Sequence, residues 1–526
     1  MRHAIRFYLG DTLHTVAGEA CSMTLLDWLR HQGRTGTKEG CNEGDCGACT
    51  VIVIRLRRGR LAVRAVNACI QLVAMLDGAC VMTVEDVGGP DALHPVQKAM
   101  VAASGSQCGF CTPGFVMSMI AYRCMDGAPD DDASIDAALA GNLCRCTGYA
   151  PIVRAMKQAL SIPGAPGGVS GGAPGNAPGS TPGSTAGDED GAGAAFEARI
   201  AALQPRLLAL AASDDVEIDT GTSSLFIPAH AESLAARLVA HPGTVMVAGA
   251  TDVGLWITKG MRALPRLAFI AQCPDLLRLE ETRSGLHVGA AVTYEEVAAP
   301  FGRMLPSFGA LIARIGSTPI RNSATLCGNI ANGSPIGDGP PALIAADAVL
   351  HLRHGDARRD LPLDAYFLAY GKQDLAAGEF VEGVTIPRPA PDTFYRVYKV
   401  SKRFDQDISA VCGAFALRRD AEGRIVHIRI AFGGMAATPC RARETEAFLL
   451  GRVWNEETLA KSRDILTRDF TPLSDMRASA WYRMRVAGNL LIRFFEESRE
   501  AADDPDNPNV PGAPNVLEKS RGLSHV

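Results

Sequence analysis

Three cysteines inside nine residues, Cys41, Cys46 and Cys49, with glycines at 40, 44 and 47, constrain this chain more than any other feature. A loop that gathers thiolates around one centre must turn its amides inward, toward the negative sulfurs. That calls for positive φ and no Cβ at several positions, which glycine supplies. A fourth cysteine, Cys69, follows two strand-like runs at 51–54 and 61–66. The order matches the plant-type [2Fe–2S] spacing. A zinc knuckle is the alternative, because C-x-x-C is also a zinc spacing, and a disulfide pair is a third reading.

The surroundings of this loop predict a small mixed sheet. Residues 2–9 and 12–16 read as strands about the Gly10-Asp11 turn, and Thr24 caps a helix with Leu25, Leu26, Trp28 and Leu29 on its apolar side. Strand, strand, helix, metal loop and strands make the β-grasp ferredoxin pattern, ending near Val84. From about His94 the strand signal stops. Cys108 and Cys111 then precede a helix, with Thr112 read as its N-cap, Pro113 in its first turn and Phe115, Met119 and Tyr122 at helical spacing. Cys144 and Cys146 precede a second helix at 151–160. Thiolates ahead of helix N-termini gain from free amides and the macrodipole. Two close pairs at two helix starts can surround one small cluster, with zinc between helices as the alternative.

At 526 residues the chain needs several cores. Its fifteen cysteines are an odd number, which argues against a complete disulfide framework. A net charge of −5 without a basic stripe gives nucleic-acid binding no support. No run approaches the ~18 apolar residues of a membrane span, and the N-terminus has no signal-peptide core. The expectation is a soluble protein of a reducing compartment, the cytoplasm. Residues 161–195, almost all Gly, Pro, Ala and Ser, read as a linker.

Beyond a helical stretch at 196–212 lies a second globular part. A buried strand at 244–248 runs into Gly249-Ala250-Thr251-Asp252-Val253-Gly254, and residues 321–341 are too rich in glycine and small polar side chains to be core. Neither is the G-x-G-x-x-G of a Rossmann site. Each alone reads as a structural turn; together they suggest amides for a diphosphate and Asn329, Ser334 and Asp338 for a ribityl chain. Strands follow at 394–400, 410–419 and 425–433, then helices at 441–450, 456–468 and 477–497. The charged loop 399–408 reads by default as a solvated turn. His351 and His354 match no ligand spacing. Cys21, Cys80, Cys124, Cys273, Cys327, Cys412 and Cys440 read as buried small apolar residues. No G-x-S-x-G or H-E-x-x-H occurs, so serine or zinc hydrolysis finds no support.

The three cysteine motifs, with Val247-Ala-Gly-Ala-Thr-Asp-Val-Gly254 and Gly328-Asn-Ile-Ala-Asn-Gly-Ser-Pro-Ile-Gly-Asp338, resemble the molybdenum hydroxylases. The likeness is greatest to the iron–sulfur and FAD subunit of the bacterial xanthine-oxidising type. It implies an α+β multidomain fold. A [2Fe–2S] ferredoxin-like domain occupies 1–86 and a helical [2Fe–2S] domain 87–160. The linker follows at 161–195, then an FAD-binding domain like that of vanillyl-alcohol oxidase at 196–390, a C-terminal flavoprotein domain at 391–500 and a tail at 501–526. It implies one cluster on Cys41, Cys46, Cys49 and Cys69 and another on Cys108, Cys111, Cys144 and Cys146. FAD would be held by Met246, Val247, Ala248, Gly249, Ala250, Thr251, Asp252 and Val253, by Thr325, Leu326, Cys327, Gly328 and Asn329, and by Asp338, with Ile315, Val381 and Lys399 as further contacts. Animal members carry an aromatic where Ile315 stands. The loop 399–408 would lie near the flavin and influence access of NAD, the electron acceptor. Molybdopterin and the substrate site would sit on a separate large subunit, in a heterotetramer, leaving this chain no catalytic base of its own. An aldehyde, nicotinate-like or carbon monoxide hydroxylase is the alternative; the segment Phe432-Gly-Gly-Met435-Ala-Ala-Thr-Pro439 and the fusion of two clusters with FAD on one chain favour the xanthine type.

Overall fold

The computed structural model describes the chain except residues 90, 126, 163–190, 212–213 and 504–526. Most of the expected linker and tail therefore lies outside the described residues. The described parts shift both borders. Helix Gly191–Ala201 begins inside the stretch read as linker, and helix Ala480–Asp503 runs past residue 500. The chain forms two compact units. The first comprises Met1–Ser233, Thr244–Pro274 and Ser317–Ala324; the second comprises Leu234–Gly243, Asp275–Gly316 and Thr325–Val526.

In the first unit a five-stranded sheet has the order Thr12–Val16, Ile5–Leu9, Cys80–Met82, Thr50–Arg57, Arg60–Asn67. Ile5, Phe7 and Leu9 alternate inward, as a strand with one buried face requires. They pack on helix Leu25–His31, where Phe7 meets Trp28 edge-on at 5.1 Å. Thr24 caps that helix, its hydroxyl accepting from the Asp27 amide. Strand Thr50–Arg57 is buried from Thr50 through Arg55 because both its faces are covered. Val51 and Val53 join the core containing Leu25 and Leu29. Ile52 and Ile54 join a second core with Phe115, Met119 and Ile152 of the helical segment. Helices Gly191–Ala201 and Leu203–Leu210 add Phe196, Leu203 and Leu207 to that second core, and Glu197 pairs with buried Arg123 at 3.1 Å. The same unit holds a sheet ordered Val216–Asp219, Ser224–Ile227, Arg266–Phe269, Val245–Val247, the last two pairings being parallel.

The second unit contains an antiparallel sheet ordered Leu279–Glu281, Gly285–Gly289, Phe380–Pro387, Val349–His354, Ala357–Pro362. It also contains the meander Phe394–Val400, Val411–Arg419, Ile425–Gly433, Cys440–Arg441. Helices Arg443–Leu449, Glu456–Asp469 and Ala480–Asp503 pack on the meander through a core built around Phe415, Phe432 and Phe494, as the order of strands and helices predicts. Among the described residues no helix is long and apolar enough to cross a membrane.

Candidate metal centres and flavin loops

The first cysteine set is assembled by a hairpin. Thr50 pairs with Asn67 in the antiparallel register, so Cys49 and Cys69, twenty residues apart, arrive at the same end of two strands. Both are buried, at 2% and 1% exposure. The loop supplies the other two thiols. The amides of Asp45 and Cys46 donate to Cys41 Sγ at 3.4 and 3.3 Å, and the Cys41 amide donates to Cys46 Sγ at 3.3 Å. Gly44 and Gly47 have φ of +79° and +68°, and a Cβ on Gly40 would stand 2.7 Å from Cys46 Sγ. Buried Asn67 donates to the carbonyl of Gly44 at 2.5 Å and pins the loop to the hairpin. Sequence reasoning passed over it because its partner is 23 residues away.

The thiols form two hydrogen-bonded pairs, Cys41 with Cys46 and Cys49 with Cys69. The bond from Cys46 lowers the Cys41 thiol to about 5 against the cost of burial, helped by the amides of Cys46, Glu43 and Asp45. The bond from Cys69 likewise lowers Cys49. Two thiols per pair is the ligand arithmetic of two irons. Amide donors to thiolate sulfur are what a negatively charged cluster requires.

The second set follows the same plan: Cys111 pairs with Cys144 and Cys108 with Cys146. The N-cap of helix Thr112–Arg123 is Cys111, with Thr112 the first helical residue and no side-chain cap. The expected threonine cap is thus displaced by one residue, because the cysteine must sit where the free amides point. Tyr149, at φ +68°, opens helix Ala150–Ser161 and accepts from the Cys144 amide through its hydroxyl at 3.0 Å. The Thr147 hydroxyl lies 3.2 Å from Cys144 Sγ. Burial pushes the Cys111 thiol up to about 12, whereas at Cys144 burial is outweighed by the combined hydrogen bonds from Thr147, Cys146 and Cys111, which lower the thiol. Cys108 and Cys146 are exposed. Among the described residues no group of three or more His, Cys, Asp or Glu side chains is placed to hold a single metal ion.

The residues expected at FAD divide between the units. In the first unit, Met246 and Val247 end strand Val245–Val247, Ala248 to Asp252 form the turn, and Val253 opens helix Val253–Thr258. Ala250 has φ +59° and is buried. A Cβ on Gly249 would overlap the carbonyl oxygen of Ser323, and Gly254 lies against Ile70, beside Cys69. Both glycines thus serve close packing, a role the motif alone did not reveal.

In the second unit Thr325 caps helix Leu326–Asn332 by accepting from the Gly328 amide at 3.0 Å. Leu326 and Cys327 are buried, and burial pushes the Cys327 thiol up to about 12. The Tyr294 hydroxyl donates to Asn329 Oδ1 at 2.9 Å. Asp338 and Lys399, expected as separate contacts, are bound to each other. Lys399 Nζ lies 2.8 Å from Asp338 Oδ2 and 3.1 Å from the Arg314 carbonyl, and the Ser409 hydroxyl donates to Asp338 Oδ1 at 2.5 Å. Ile315 lies in the turn after helix Pro306–Ile312, and Val381 is buried opposite Leu352. Tyr294, Arg314 and Ser409 were not foreseen. In the charged loop Arg314 stacks on Phe404 at 4.5 Å and Lys402 donates to the Met476 carbonyl, so this loop is tied down at two points.

Four family models match the chain in sequence. Residues 8–74 match the 2Fe-2S iron-sulfur cluster binding domain and 83–157 the [2Fe-2S] binding domain. Residues 220–389 match the FAD binding domain in molybdopterin dehydrogenase, and 396–498 the CO dehydrogenase flavoprotein C-terminal domain. This domain set fits the iron–sulfur and flavin part of a molybdenum hydroxylase. The zinc reading of the cysteine motifs falls with it. Xanthine dehydrogenase 1 of Arabidopsis thaliana is 32% identical over 533 aligned residues, 93% of this chain and 39% of the relative. Xanthine dehydrogenase of Emericella nidulans is 30% identical, covering 94% and 38%. The chain therefore spans about two fifths of these relatives' length. A solved carbon monoxide dehydrogenase from Hydrogenophaga pseudoflava has a chain 26% identical to this one, with TM-score 0.49 over 51% of this chain and 94% of its own.

Proposed function

We propose that the chain is the electron-transfer part of a cytoplasmic xanthine dehydrogenase, receiving electrons from a molybdopterin-binding subunit and delivering them to NAD. The supporting observation is the 32% identity to a xanthine dehydrogenase across 93% of the chain, through every matched domain. The clusters supply one-electron carriers, and FAD can collect two electrons and release a hydride. Cys41, Cys46, Cys49 and Cys69 hold one cluster, and Cys108, Cys111, Cys144 and Cys146 the other. Inward amides and Asn67 keep the first loop in its ligating shape. Met246 to Val253 and Thr325 to Asn329 offer backbone and small side chains to FAD. The Asp338–Lys399 pair fixes charge at the flavin loops, and Ile315 and Val381 contribute further contacts. Xanthine as substrate, the partner subunit and its heterotetramer belong to this proposal.

A second reading, a different molybdenum hydroxylase, draws on the C-terminal match, described as a CO dehydrogenase flavoprotein domain. The test of the first is anaerobic addition of NADH to the purified chain while its visible spectrum is recorded. Bleaching of flavin and iron–sulfur bands supports the NAD-side path. Bands that bleach only with dithionite remove NAD from the proposal. Assaying the chain with its molybdenum partner on xanthine, aldehydes and carbon monoxide separates the two readings.

A further inference from the structure

Between the two cysteine sets lies a buried polar junction that the ligand assignments leave unexplained. The Leu143 amide donates to the carbonyl of Cys46 at 2.9 Å. One residue of each set or its immediate neighbour is therefore joined by a single hydrogen bond, since Leu143 precedes Cys144. Gly47 and Gly114 make this approach possible: a Cβ on Gly47 would overlap the Gly141 carbonyl, and one on Gly114 would overlap the Gly47 carbonyl.

Asn142, at 2% exposure, spans the junction. Its Nδ2 donates to the Gly47 carbonyl at 3.0 Å and to Thr50 Oγ1 at 3.2 Å, and its Oδ1 accepts from Ser118 Oγ at 2.6 Å. One side chain thus holds the loop after Cys46, the start of the strand after Cys49 and the helix that begins at Cys111. A buried amide with both donors and its acceptor engaged rigidifies the elements it joins.

We propose that Asn142 is a positioning residue that sets the separation of the two cysteine sets and keeps the Cys46–Leu143 hydrogen bond closed. This rests on the reading that each set holds a [2Fe–2S] cluster. An apolar residue at 142 would leave the Ser118 hydroxyl without its acceptor and the Gly47 carbonyl with donors from Thr50 alone, all within the first loop, so that nothing from residue 142 holds the two loops together. Aspartate would keep the Ser118 bond but could not donate. The Thr50 hydroxyl, which now donates to the Gly47 carbonyl at 2.7 Å, would turn to the new carboxylate and leave that carbonyl only the Thr50 amide, at 3.1 Å.

The test is low-temperature EPR of the full chain fully reduced with dithionite, comparing wild type with Asn142→Ala, Asn142→Asp and Ser118→Ala. Two reduced [2Fe–2S] centres give two signals, and their magnetic interaction falls steeply with separation. The expected result is that both signals keep their spin integrals while the splitting between them is reduced or lost in Asn142→Ala and Asn142→Asp. Ser118→Ala gives a smaller change in the same direction. In Asn142→Asp the added negative charge at the junction also lowers the midpoint potentials of the two signals. Wild-type splitting in variants that retain both signals overturns the proposal. Should Asn142→Ala fail to load iron, the isosteric aspartate and the Ser118 variant decide. A wild-type chain lacking two [2Fe–2S] signals overturns the underlying cluster reading instead, and is told apart by iron and sulfide content.

Discussion

Lys259 donates its ammonium to the carbonyl of Cys41 at 2.6 Å, with Glu43 a further 3.8 Å neighbour. The lysine ends the helix that follows the turn at 248–252, so one residue links the segment proposed to hold FAD to the first cysteine loop within the same unit. A positive charge beside a cluster loop favours the reduced, more negative state. Lys259→Met should therefore lower the midpoint potential of one of the two iron–sulfur signals and leave the other in place. Lys259 is 45% exposed, so solvent and salt screen the effect to the order of 10 mV. Potentiometric titration followed by EPR measures it. An unchanged potential at low salt would show that the contact only holds the loop.

The Asp338–Lys399 pair is a different case, because both partners are buried, at 8% and 2% side-chain exposure. Asp338→Asn keeps the shape but leaves a buried ammonium without its counter-charge, which costs about 3–5 kcal/mol. Lys399→Met strands the carboxylate, though Ser409 still donates to it. The double variant Asp338→Asn with Lys399→Met should recover much of the loss, since the desolvation of both charges disappears together. Ser409→Ala removes one bond to a charged acceptor and costs about 1.5–3 kcal/mol. Urea unfolding gives the stabilities, and the FAD-to-protein ratio shows whether the pair also shapes the flavin site. A double variant no more stable than the worse single one would refute the charge argument.

Gly249 and its neighbour Ala250 give a paired prediction. Gly249→Ala places a methyl group on the Ser323 backbone, which cannot yield as a side chain tip can, so overpacking of about 1–3 kcal/mol and reduced FAD content are expected. Ala250 is the residue that adopts the left-handed conformation, at a strain of roughly 1–2 kcal/mol, which glycine would relieve. Because glycine costs about as much in unfolded-state entropy, Ala250→Gly should be close to neutral. Thermal melts of both variants check the contrast. Equal destabilisation would mean that the turn tolerates neither change for a reason outside its backbone.

The cysteine motifs and the long strands were legible because their determinants are local. Spacing plus glycine specifies a cluster loop, and the 50–57 and 60–67 runs predict the hairpin that unites Cys49 with Cys69. Cys80–Met82 escaped notice because three buried residues carry no period, although the strand fills the gap between Ile5–Leu9 and Thr50–Arg57. The five-stranded sheet of the second unit was missed because its two hairpins are joined only by the central strand Phe380–Pro387, which comes later in the chain, and Arg and Glu pairs such as Arg353–Glu382 cover part of it. Asn67, Asn142, Tyr294 and Ser409 act through partners 23 to 95 residues distant, so nothing nearby marks them. The same holds for Lys399, whose head is committed to Asp338. A motif can place that lysine near the flavin loops, but only the packing shows what it is bonded to.

His94 predicts an acid-sensitive first unit. Its Nδ1 accepts from the Val96 amide at 3.1 Å, capping helix Pro95–Ala102, and its Nε2 is buried with no hydrogen-bond partner. The ring meets Phe196 edge-on at 5.6 Å. Burial, with a smaller contribution from Arg123, lowers its pKa from 6.5 to about 4. The folded state therefore binds fewer protons than the unfolded state between those values. This contribution to stability is complete above about 6.5 and falls as pH drops to about 4, by about 3 kcal/mol in all. Protonation also takes the Nδ1 lone pair from the Val96 amide and places two cations, His94 and Arg123, in one core. His94→Asn keeps an acceptor for the cap but cannot titrate, so its stability should be lower at pH 7 and flatter over this range. Hydrogen exchange of the Pro95–Ala102 amides at pH 7, 6, 5 and 4 reads the opening directly. A wild-type profile as flat as that of the asparagine variant would show that His94 takes up no proton on unfolding.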